Sequence, residues 1–432
     1  MTLISKIKEK KAVVGVVGLG YVGLPMAVTV ARKGYQVIGV DVSQYAVEHV
    51  NAGENYIGDV DDDELAKQVK NGQLKASMDY SVMKNADVIM VAVPTPLDKY
   101  QQPDSSYVRA SVASLAKNVS PDTLVILEST TYPGTTEEIV APAFQKEGFE
   151  IGKDFYIAFS PERVDPGNKT YKTHNTPKVV GGVTPKCNEI SKIFYEMVLD
   201  APIHLVSSPA IAELEKIYEN TFRNINIALA NEMTILCEKM GLDVWEVIEA
   251  AKTKPYGFMA FYPGPGIGGH CIPLDPFYLT WKAREYGYHT RLIELAGEIN
   301  NDMPGFVVTK AAKILNKQKK ALSNSKILLL GAAYKKDIED MRESPIYNII
   351  KILEENQANF DYNDPYIPSF RSELTCKEYH SVDLDKLPEY DLVIILTNHS
   401  SYDCEKIVKK AKLVLDTRLA CNGLESENLF RM

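Results

Sequence analysis

Ala12-Val-Val-Gly-Val-Val17 runs directly into Gly18-Leu19-Gly20-Tyr21-Val22-Gly23 and then into an apolar stretch beginning at Leu24. The first six residues are apolar and β-prone, so they read as a strand buried on both faces. The next six carry glycine at the first, third and sixth places, the spacing of a strand-to-helix turn that holds a dinucleotide. Gly18 permits the tight turn. Gly20 lets the backbone approach a pyrophosphate. Gly23 lets helix and strand pack closely. The start of the following helix offers unpaired N–H groups and positive dipole to phosphate. Asp41 closes the next strand. A carboxylate there accepts from both ribose hydroxyls and repels a 2′-phosphate, which predicts NAD rather than NADP. A glycine turn in a sheet that binds nothing is the plainer alternative; strand, helix and Asp41 together argue against it.

The alternation continues outward. Gln36–Val40, Val88–Val93, Thr123–Leu127 and Phe155–Phe159 read as further strands between amphipathic stretches, a parallel sheet covered on both faces. Val93-Pro94-Thr95-Pro96 falls at the carboxyl edge of that sheet, so Pro94 and Thr95 join the turn as candidate cofactor contacts. From Ser208 to Met240 the pattern is helical, with Ser208 as N-cap, Pro209 in the first turn and Gly241 at the stop. A helix that long suits a domain junction or a subunit interface. Another helix starts near Val244, a Gly/Pro loop follows, and more helix is expected from Pro276 to about Asn301. From Lys326 strand and helix alternate again, with Ile327–Leu330, Asn359–Tyr362, Leu392–Leu396 and Leu413–Leu415 as strands. The expected fold is α/β. Two Rossmann-like doubly wound domains, residues 1–207 and 306–432, are joined by a helical middle domain at 208–305 that carries the long central helix.

Composition narrows the function. The 432 residues carry 48 Lys+Arg against 57 Asp+Glu, a net charge of −9. That balance argues against nucleic acid as a partner, because such binding needs a basic stripe to displace counterions. No apolar run is long enough for a membrane span, and no cleavable leader is legible at the N-terminus, so a cytoplasmic location is expected. The six cysteines are scattered without a C-x-x-C pair, which suggests neither a disulfide framework nor a zinc site. His270 and Cys271 are adjacent, but no third ligand is spaced to join them, and no metal is expected.

The densest chemistry lies in Tyr262-Pro-Gly-Pro-Gly-Ile-Gly-Gly-His-Cys271-Ile-Pro-Leu-Asp275. Its four glycines, Gly264, Gly266, Gly268 and Gly269, let the backbone fold tightly against a ligand. A thiolate at Cys271 could attack an aldehyde carbon. If a helix begins near Cys271, Asp275 lies one turn along the same face. A buried cysteine packing as a small hydrophobe is the competing reading.

These segments resemble the UDP-glucose/GDP-mannose dehydrogenase family, over nearly the whole chain. The resemblance rests on Val17-Gly-Leu-Gly-Tyr-Val-Gly-Leu-Pro25, Glu128-Ser-Thr-Thr-Tyr-Pro-Gly134, Ser160-Pro-Glu-Arg163, Glu213-Leu-Glu-Lys216 with Asn220, the Gly-Gly-His-Cys loop, and Tyr334-Lys-Lys-Asp337 with Arg342-Glu-Ser-Pro345. The loop is similar to that of the branch acting on UDP-N-acetylhexosamines, with UDP-N-acetylglucosamine the first expectation. UDP-N-acetylmannosamine, UDP-N-acetylgalactosamine and UDP-glucose are the alternatives. Tyr262, Arg163 and Val164 depart from the glucose branch, which has a lysine at the first position and bulky apolar residues at the other two.

The resemblance implies an oxidoreductase that carries the sugar C6 alcohol to a carboxylate with NAD, in an active site between domains, through a thiohemiacetal and thioester on Cys271. By the same resemblance Lys216 and Asn220 bracket the C6 oxygen, and Asp275, Glu162 and Thr130 organise catalytic water. Thr130 and Arg342 would also reach the cofactor. Glu162, Arg163, Val164, Lys216, Asn220, Tyr262, Gly264, Gly268, Lys335 and Arg418 would contact the UDP-sugar. Homodimers or higher homo-oligomers through the long helix are expected. From spacing alone Lys216 reads as a solvated lysine paired with Glu213 or Glu219, and Thr130 as the closer of a Thr-Tyr-Pro-Gly turn. The rivals in other classes are a one-step β-hydroxyacid dehydrogenase and a non-catalytic nucleotide-sugar or NAD sensor.

Overall fold

Strand β1 (Val13–Val17) is buried along four of its five residues, which requires a neighbour on each edge and a helix above and below. A computed structural model, which describes every residue except Asp59, Lys99 and Pro166, supplies them. The strands β2 (Gln36–Val40) and β4 (Val88–Val91) flank β1, both parallel to it. With β3 (Leu74–Ser77), β5 (Thr123–Leu127), β6 (Phe155–Phe159), β7 (Lys178–Gly182) and β8 (Ile203–Val206) they form one sheet in the order β3-β2-β1-β4-β5-β6-β7-β8. Only the β6–β7 pairing is antiparallel. The strand order reverses between β1 and β4, so their carboxyl ends form a topological switch point, where open α/β sheets bind ligands. The sheet carries an apolar core on each face.

The chain divides into two compact units. One comprises Met1–Glu219 with Phe277–Tyr288, the other Asn220–Pro276 with His289–Met432. In the second, a sheet of order β10-β9-β13-β14-β15 is parallel throughout. Its strands are β9 (Lys326–Leu330), β10 (Asn359–Asn363), β13 (Leu392–Ile395), β14 (Val414–Asp416) and β15 (Leu429–Arg431); a small antiparallel hairpin of β11 (Ser369–Arg371) and β12 (Glu378–His380) packs beside β10, with Tyr379 stacked on Phe360. The reversal here lies between β9 and β13.

This second sheet repeats the turn chemistry of the first with a difference. Gly331 after β9 has φ +92°, as Gly18 after β1 has φ +89°. Asp364, just past β10, stands where Asp41 stands past β2. Asp41 is only partly buried. Asp364 is buried, and its Oδ2 accepts from Ala332 N (2.6 Å), Ala333 N (2.9 Å) and His399 Nε2 (3.0 Å). A carboxylate so committed braces its loop and has no room for a ribose.

The long helix spans Pro209–Met240, 32 residues. Ser208 caps it through Ile211 N (3.4 Å), and Gly241 stops it at φ +71°. The helix expected from Pro276 to Asn301 is instead two, Asp275–Glu285 and Arg291–Lys317. Gly287, at φ +64°, turns the chain between them. The second passes through Pro304, which keeps helical continuity although it lacks an N–H. The helix that holds Asp275 begins at that residue, so Cys271 lies before it. Asp275 N donates to Cys271 O (2.9 Å), a single turn leading into the helix.

Candidate functional site

The three glycines of the first turn do separate work. A Cβ on Gly18 would stand 2.5 Å from Ala92 O, so the turn passes hard against the chain leaving β4. A Cβ on Gly23 would stand 1.8 Å from Gly18 O, where only glycine lets the Gly23–Arg32 helix close on the turn. A Cβ on Gly20 would meet nothing within 4 Å. Open space beside an exposed backbone is what a pyrophosphate needs, so the turn fits a dinucleotide. Leu19 is buried beneath, Tyr21 is exposed and Val22 half-buried at the helix start. Asp41 Oδ2 accepts from Leu19 N (2.7 Å) and Oδ1 from Ser43 N (2.8 Å). Each oxygen keeps a lone pair for a ribose hydroxyl. Pro94 is exposed and Thr95 buried at the carboxyl end of β4, where Tyr278 donates to Thr95 O.

Two loops beside this turn carry the unit's polar chemistry. Thr130 lies just past β5, half-buried, and closes no turn. Tyr132 O instead accepts from Thr135 N (3.2 Å) and Thr135 Oγ1 (2.6 Å). Glu162, just past β6, accepts from Arg163 N (2.7 Å) and Val164 N (2.8 Å) with one oxygen.

Lys216 is not the solvated lysine that spacing suggests. It is 6% exposed, and both expected partners are engaged elsewhere. Glu213 is fully buried and accepts from Gly134 N (2.6 Å), Thr136 N (2.8 Å) and Thr136 Oγ1 (2.7 Å), which ties the long helix to the loop after β5. Burial pushes its carboxyl up to about 7. Glu219 is held by Arg163, whose guanidinium also reaches Glu215 (3.5 Å) and donates to Pro177 O (3.0 Å). Burial and the neighbouring Glu219 raise Glu215 to about 7. Burial would raise Glu219 too, but the Arg163 bonds hold it below the usual carboxylate range. Lys216 itself makes no ion pair among the described residues.

In the second unit the glycine loop is threaded against the turns of the β9 sheet. A Cβ on Gly264 would stand 2.3 Å from Arg418 Nη1, and one on Gly268 2.5 Å from Tyr334 Cβ. Gly264 N donates to Asn231 Oδ1 (3.0 Å) and Gly269 N to Arg342 O (2.8 Å). The loop therefore lies beside the segments that carry Lys335, Arg342 and Arg418. Arg418, two residues past β14, donates Nε to Leu396 O (2.9 Å), and burial lowers it to about 10 while Asp416 opposes. Arg342 grips Asp340 through Nε (3.0 Å) and Nη2 (2.6 Å). Lys335 is half-buried. Tyr262 faces Trp245, Lys252 (3.1 Å) and Glu249 (2.7 Å).

Cys271 is exposed at the end of this loop, whereas Cys187, Cys237 and Cys421 are buried. Burial, with Arg342 adding repulsion, pushes His270 below its ordinary pKa. That favours the neutral ring over a cation beside the thiol. Asn220 Nδ2 donates to Asp275 Oδ2 (2.6 Å), both residues being buried. Asn224 fixes the same stretch through Ile272 O (3.1 Å). The long helix thus holds the Cys271–Asp275 segment by two side-chain amides.

Three family profiles cover this chain in order: the UDP-glucose/GDP-mannose dehydrogenase NAD binding domain at residues 12–199, the central domain at 210–302 and the UDP binding domain at 328–423. The chain belongs to the UDP-glucose/GDP-mannose dehydrogenase family. Among relatives, the UDP-N-acetyl-D-glucosamine 6-dehydrogenase of Pseudomonas aeruginosa is 36% identical over 90% of this chain and 91% of its own. An NDP-N-acetyl-D-galactosaminuronic acid dehydrogenase of Ralstonia nicotianae is 34% identical over 94% of this chain and 95% of its own. The solved structure of a UDP-D-ManNAc dehydrogenase from Pyrococcus horikoshii superposes with a TM-score of 0.89 at 32% identity, covering 97% of this chain and 98% of that one. As a member of this family the chain is an NAD-dependent UDP-sugar dehydrogenase, and the glycine turn at Gly18 lies in its NAD binding domain. No helix among the described residues is long and apolar enough to cross a membrane, and no group of three metal-ligating side chains occurs among them.

Sequence reasoning missed three residues that shape the site. Glu128 lies inside a quoted motif without an assigned task, and Glu213 reads only as a partner for Lys216, not as the anchor of the loop after β5. Lys178, in a strand reading Lys-Val-Val-Gly-Gly, gave no local signal at all.

Asp41 provides a first prediction. An Asp41→Ala variant loses charge-assisted acceptors worth about 1.5–3 kcal/mol. Its kcat/KM for NAD should fall roughly 10- to 150-fold, and its preference for NAD over NADP should shrink further. Initial rates with both cofactors check this; an unchanged preference would show that the 2′-phosphate is excluded elsewhere.

Proposed function

We propose that the protein oxidises the C6 alcohol of a UDP-N-acetylhexosamine, UDP-N-acetylglucosamine first, to the uronic acid in two successive oxidations. The observation that carries this is the exposed Cys271 at the end of a glycine loop, one turn before the buried Asn220–Asp275 pair. A one-step alcohol dehydrogenase has no use for such a thiol. A sensor has no use for it one turn before a buried carboxylate at 275.

NAD, when bound on the Gly18–Gly23 turn with its ribose on Asp41, supplies the hydride acceptor. Pro94, Thr95, Thr130 and Arg342 complete its proposed contacts. Lys335 and Arg418 hold the diphosphate, with Tyr262, Gly264 and Gly268 around the nucleotide. Glu162, Arg163 and Val164 face the sugar. Lys216 and Asn220 stabilise negative charge on the C6 oxygen as its proton leaves. The thiolate of Cys271 adds to the resulting aldehyde. Addition makes C6 tetrahedral again, so that its remaining hydrogen can leave as hydride while the oxygen's electrons form the new carbonyl, which an unhydrated aldehyde does not permit. Its oxidation leaves a thioester, and water positioned by Asp275, Glu162 and Thr130 releases the acid and the thiol. The balance is one alcohol, one water and two NAD⁺ to one carboxylate, two NADH and three protons. By stretch, 1–207 serves the cofactor, 208–305 the chemistry and 306–432 the nucleotide.

The substrate assignment is tested by kcat/KM for UDP-N-acetylglucosamine, UDP-N-acetylmannosamine, UDP-N-acetylgalactosamine and UDP-glucose. One N-acetylhexosamine should lead UDP-glucose by about 10²-fold or more, because a site that hydrogen-bonds a substituent rejects the analogue lacking it. Preference for UDP-glucose would overturn it.

A homodimer is part of this reading. The long helix exposes Ile211, Leu214, Tyr218, Phe222, Leu229 and Leu236 at helical spacing, Tyr218 at 68% and Leu229 at 55%. Such an apolar stripe needs cover. Leu229→Glu should reduce the mass in solution to that of a single chain, read by light scattering. An unaltered oligomer would place the interface elsewhere.

A further inference from the structure

Behind Glu162, inside the first unit, sits a buried charge that the proposed chemistry does not use. Lys178 on β7 is 3% exposed. Its Nζ lies 3.5 Å from Glu128 Oε2 and 3.7 Å from Glu162 Oε2. It also stands 5.5 Å from the ring centroid of Tyr195, whose hydroxyl donates to the other oxygen of Glu128. Glu128 is 1% exposed, and burial drives its carboxyl up while Lys178 pulls it back. Neither Lys178 Nζ nor Glu128 Oε2 makes a hydrogen bond among the described residues.

That arrangement is a poor stabiliser. A buried ammonium without hydrogen bonds has lost its water and gained only electrostatic contact, and an apolar side chain of similar size would hold the fold as well or better. What the ammonium does accomplish is geometric. Glu128 follows β5 directly, two residues before Thr130, and Glu162 lies three residues past the end of β6. Among the described residues Lys178 is the single cation that reaches both carboxylates. With Glu162 Oε1 already fixed by Arg163 N and Val164 N, attraction of Oε2 to Lys178 leaves the carboxylate one orientation.

We propose that Lys178 is a positioning residue that orients the Glu162 carboxylate for release of the product acid from Cys271. This rests on the reading of Glu162 as an organiser of the hydrolytic water. The step concerned is addition of water to the thioester carbonyl, with expulsion of the Cys271 thiolate and delivery of the water's protons to solvent and sulfur. Its loss should slow hydrolysis and spare the two oxidations that precede it.

The test compares Lys178→Met, Lys178→Arg, the double variant Lys178→Met/Glu128→Gln, and Glu162→Gln. Each is read by rapid-mixing NADH absorbance with saturating UDP-sugar and by intact mass of the quenched protein. Lys178→Met should give a burst of two NADH per active site, then turnover slowed about tenfold or more. Its KM values for NAD and UDP-sugar should stay within about threefold, and a sugar-acyl adduct should accumulate on the protein. Lys178→Arg should restore most of the turnover. If Lys178→Met does not fold, the double variant, which removes both interior charges, carries the same expectation. Glu162→Gln should accumulate the adduct too. Should Glu162→Gln accumulate it while the Lys178 variants do not, the inference about Lys178 is overturned and the reading of Glu162 stands. Should Glu162→Gln itself form no adduct, that reading falls and takes the inference with it. A raised KM with unchanged kcat in the Lys178 variants also overturns it.

Discussion

Cys271→Ser should abolish complete turnover while leaving both ligands able to bind. The hydroxyl that replaces the thiol is far less ionised and cannot sustain addition to an aldehyde at neutral pH. Removing a nucleophile that acts with its neighbours costs on the order of 10³-fold or more in kcat. The geometry makes this a test of chemistry and not of folding. The side chain is exposed at the end of its loop, and the loop is held by backbone contacts of Gly264 and Gly269 that the substitution does not touch. Steady-state NADH formation together with equilibrium binding of UDP-sugar to the variant checks it. Normal turnover by Cys271→Ser would remove the covalent route.

Lys216→Met should have the next largest effect. For a lysine that is 6% exposed and without an ion-pair partner among the described residues, the proposed use is an anion that forms during reaction. Loss of one such donor costs about 10²–10³-fold in kcat, or roughly 2.7–4 kcal/mol. Methionine preserves the apolar stem, so the helix packing should survive. The effect should fall on kcat and leave KM for UDP-sugar near its original value, the mark of an interaction made mainly in the transition state. A change confined to KM would make Lys216 a ground-state binding residue instead.

The parts of this account that sequence reveals are those whose constraint is local. The turn from Gly18 to Gly23 needs three glycines within six residues, Gly18 and Gly23 for contacts a few atoms away and Gly20 for open space beside the backbone, so the spacing, read with its flanking strand and helix, is legible. Buried strands such as β5 and β6 are legible because they are mostly apolar and β-prone and buried along their length. The long helix shows its own cap and stop. The break at residues 286–290 is harder, since only Gly287 punctuates an otherwise helical pattern. What stays hidden depends on distant partners. Lys216 looks like a surface lysine until Glu213 is seen bonded 79 residues away at Gly134 and Glu219 bonded to Arg163. Lys178 sits in a strand whose other residues are apolar or glycine, and only the β6–β7 pairing brings it to Glu162. Asp364 reads like Asp41 by position, yet three donors on one oxygen give it a different task.

The central claim is that one active-site thiol lets a single chain take the same carbon through two oxidations. The most direct measurement is the NADH formed per UDP-sugar consumed, run to completion with excess NAD and limiting UDP-N-acetylhexosamine. Two NADH for each sugar, with the uronic acid as the sole sugar product, is the predicted result. One NADH for each sugar, with aldehyde released, would contradict it.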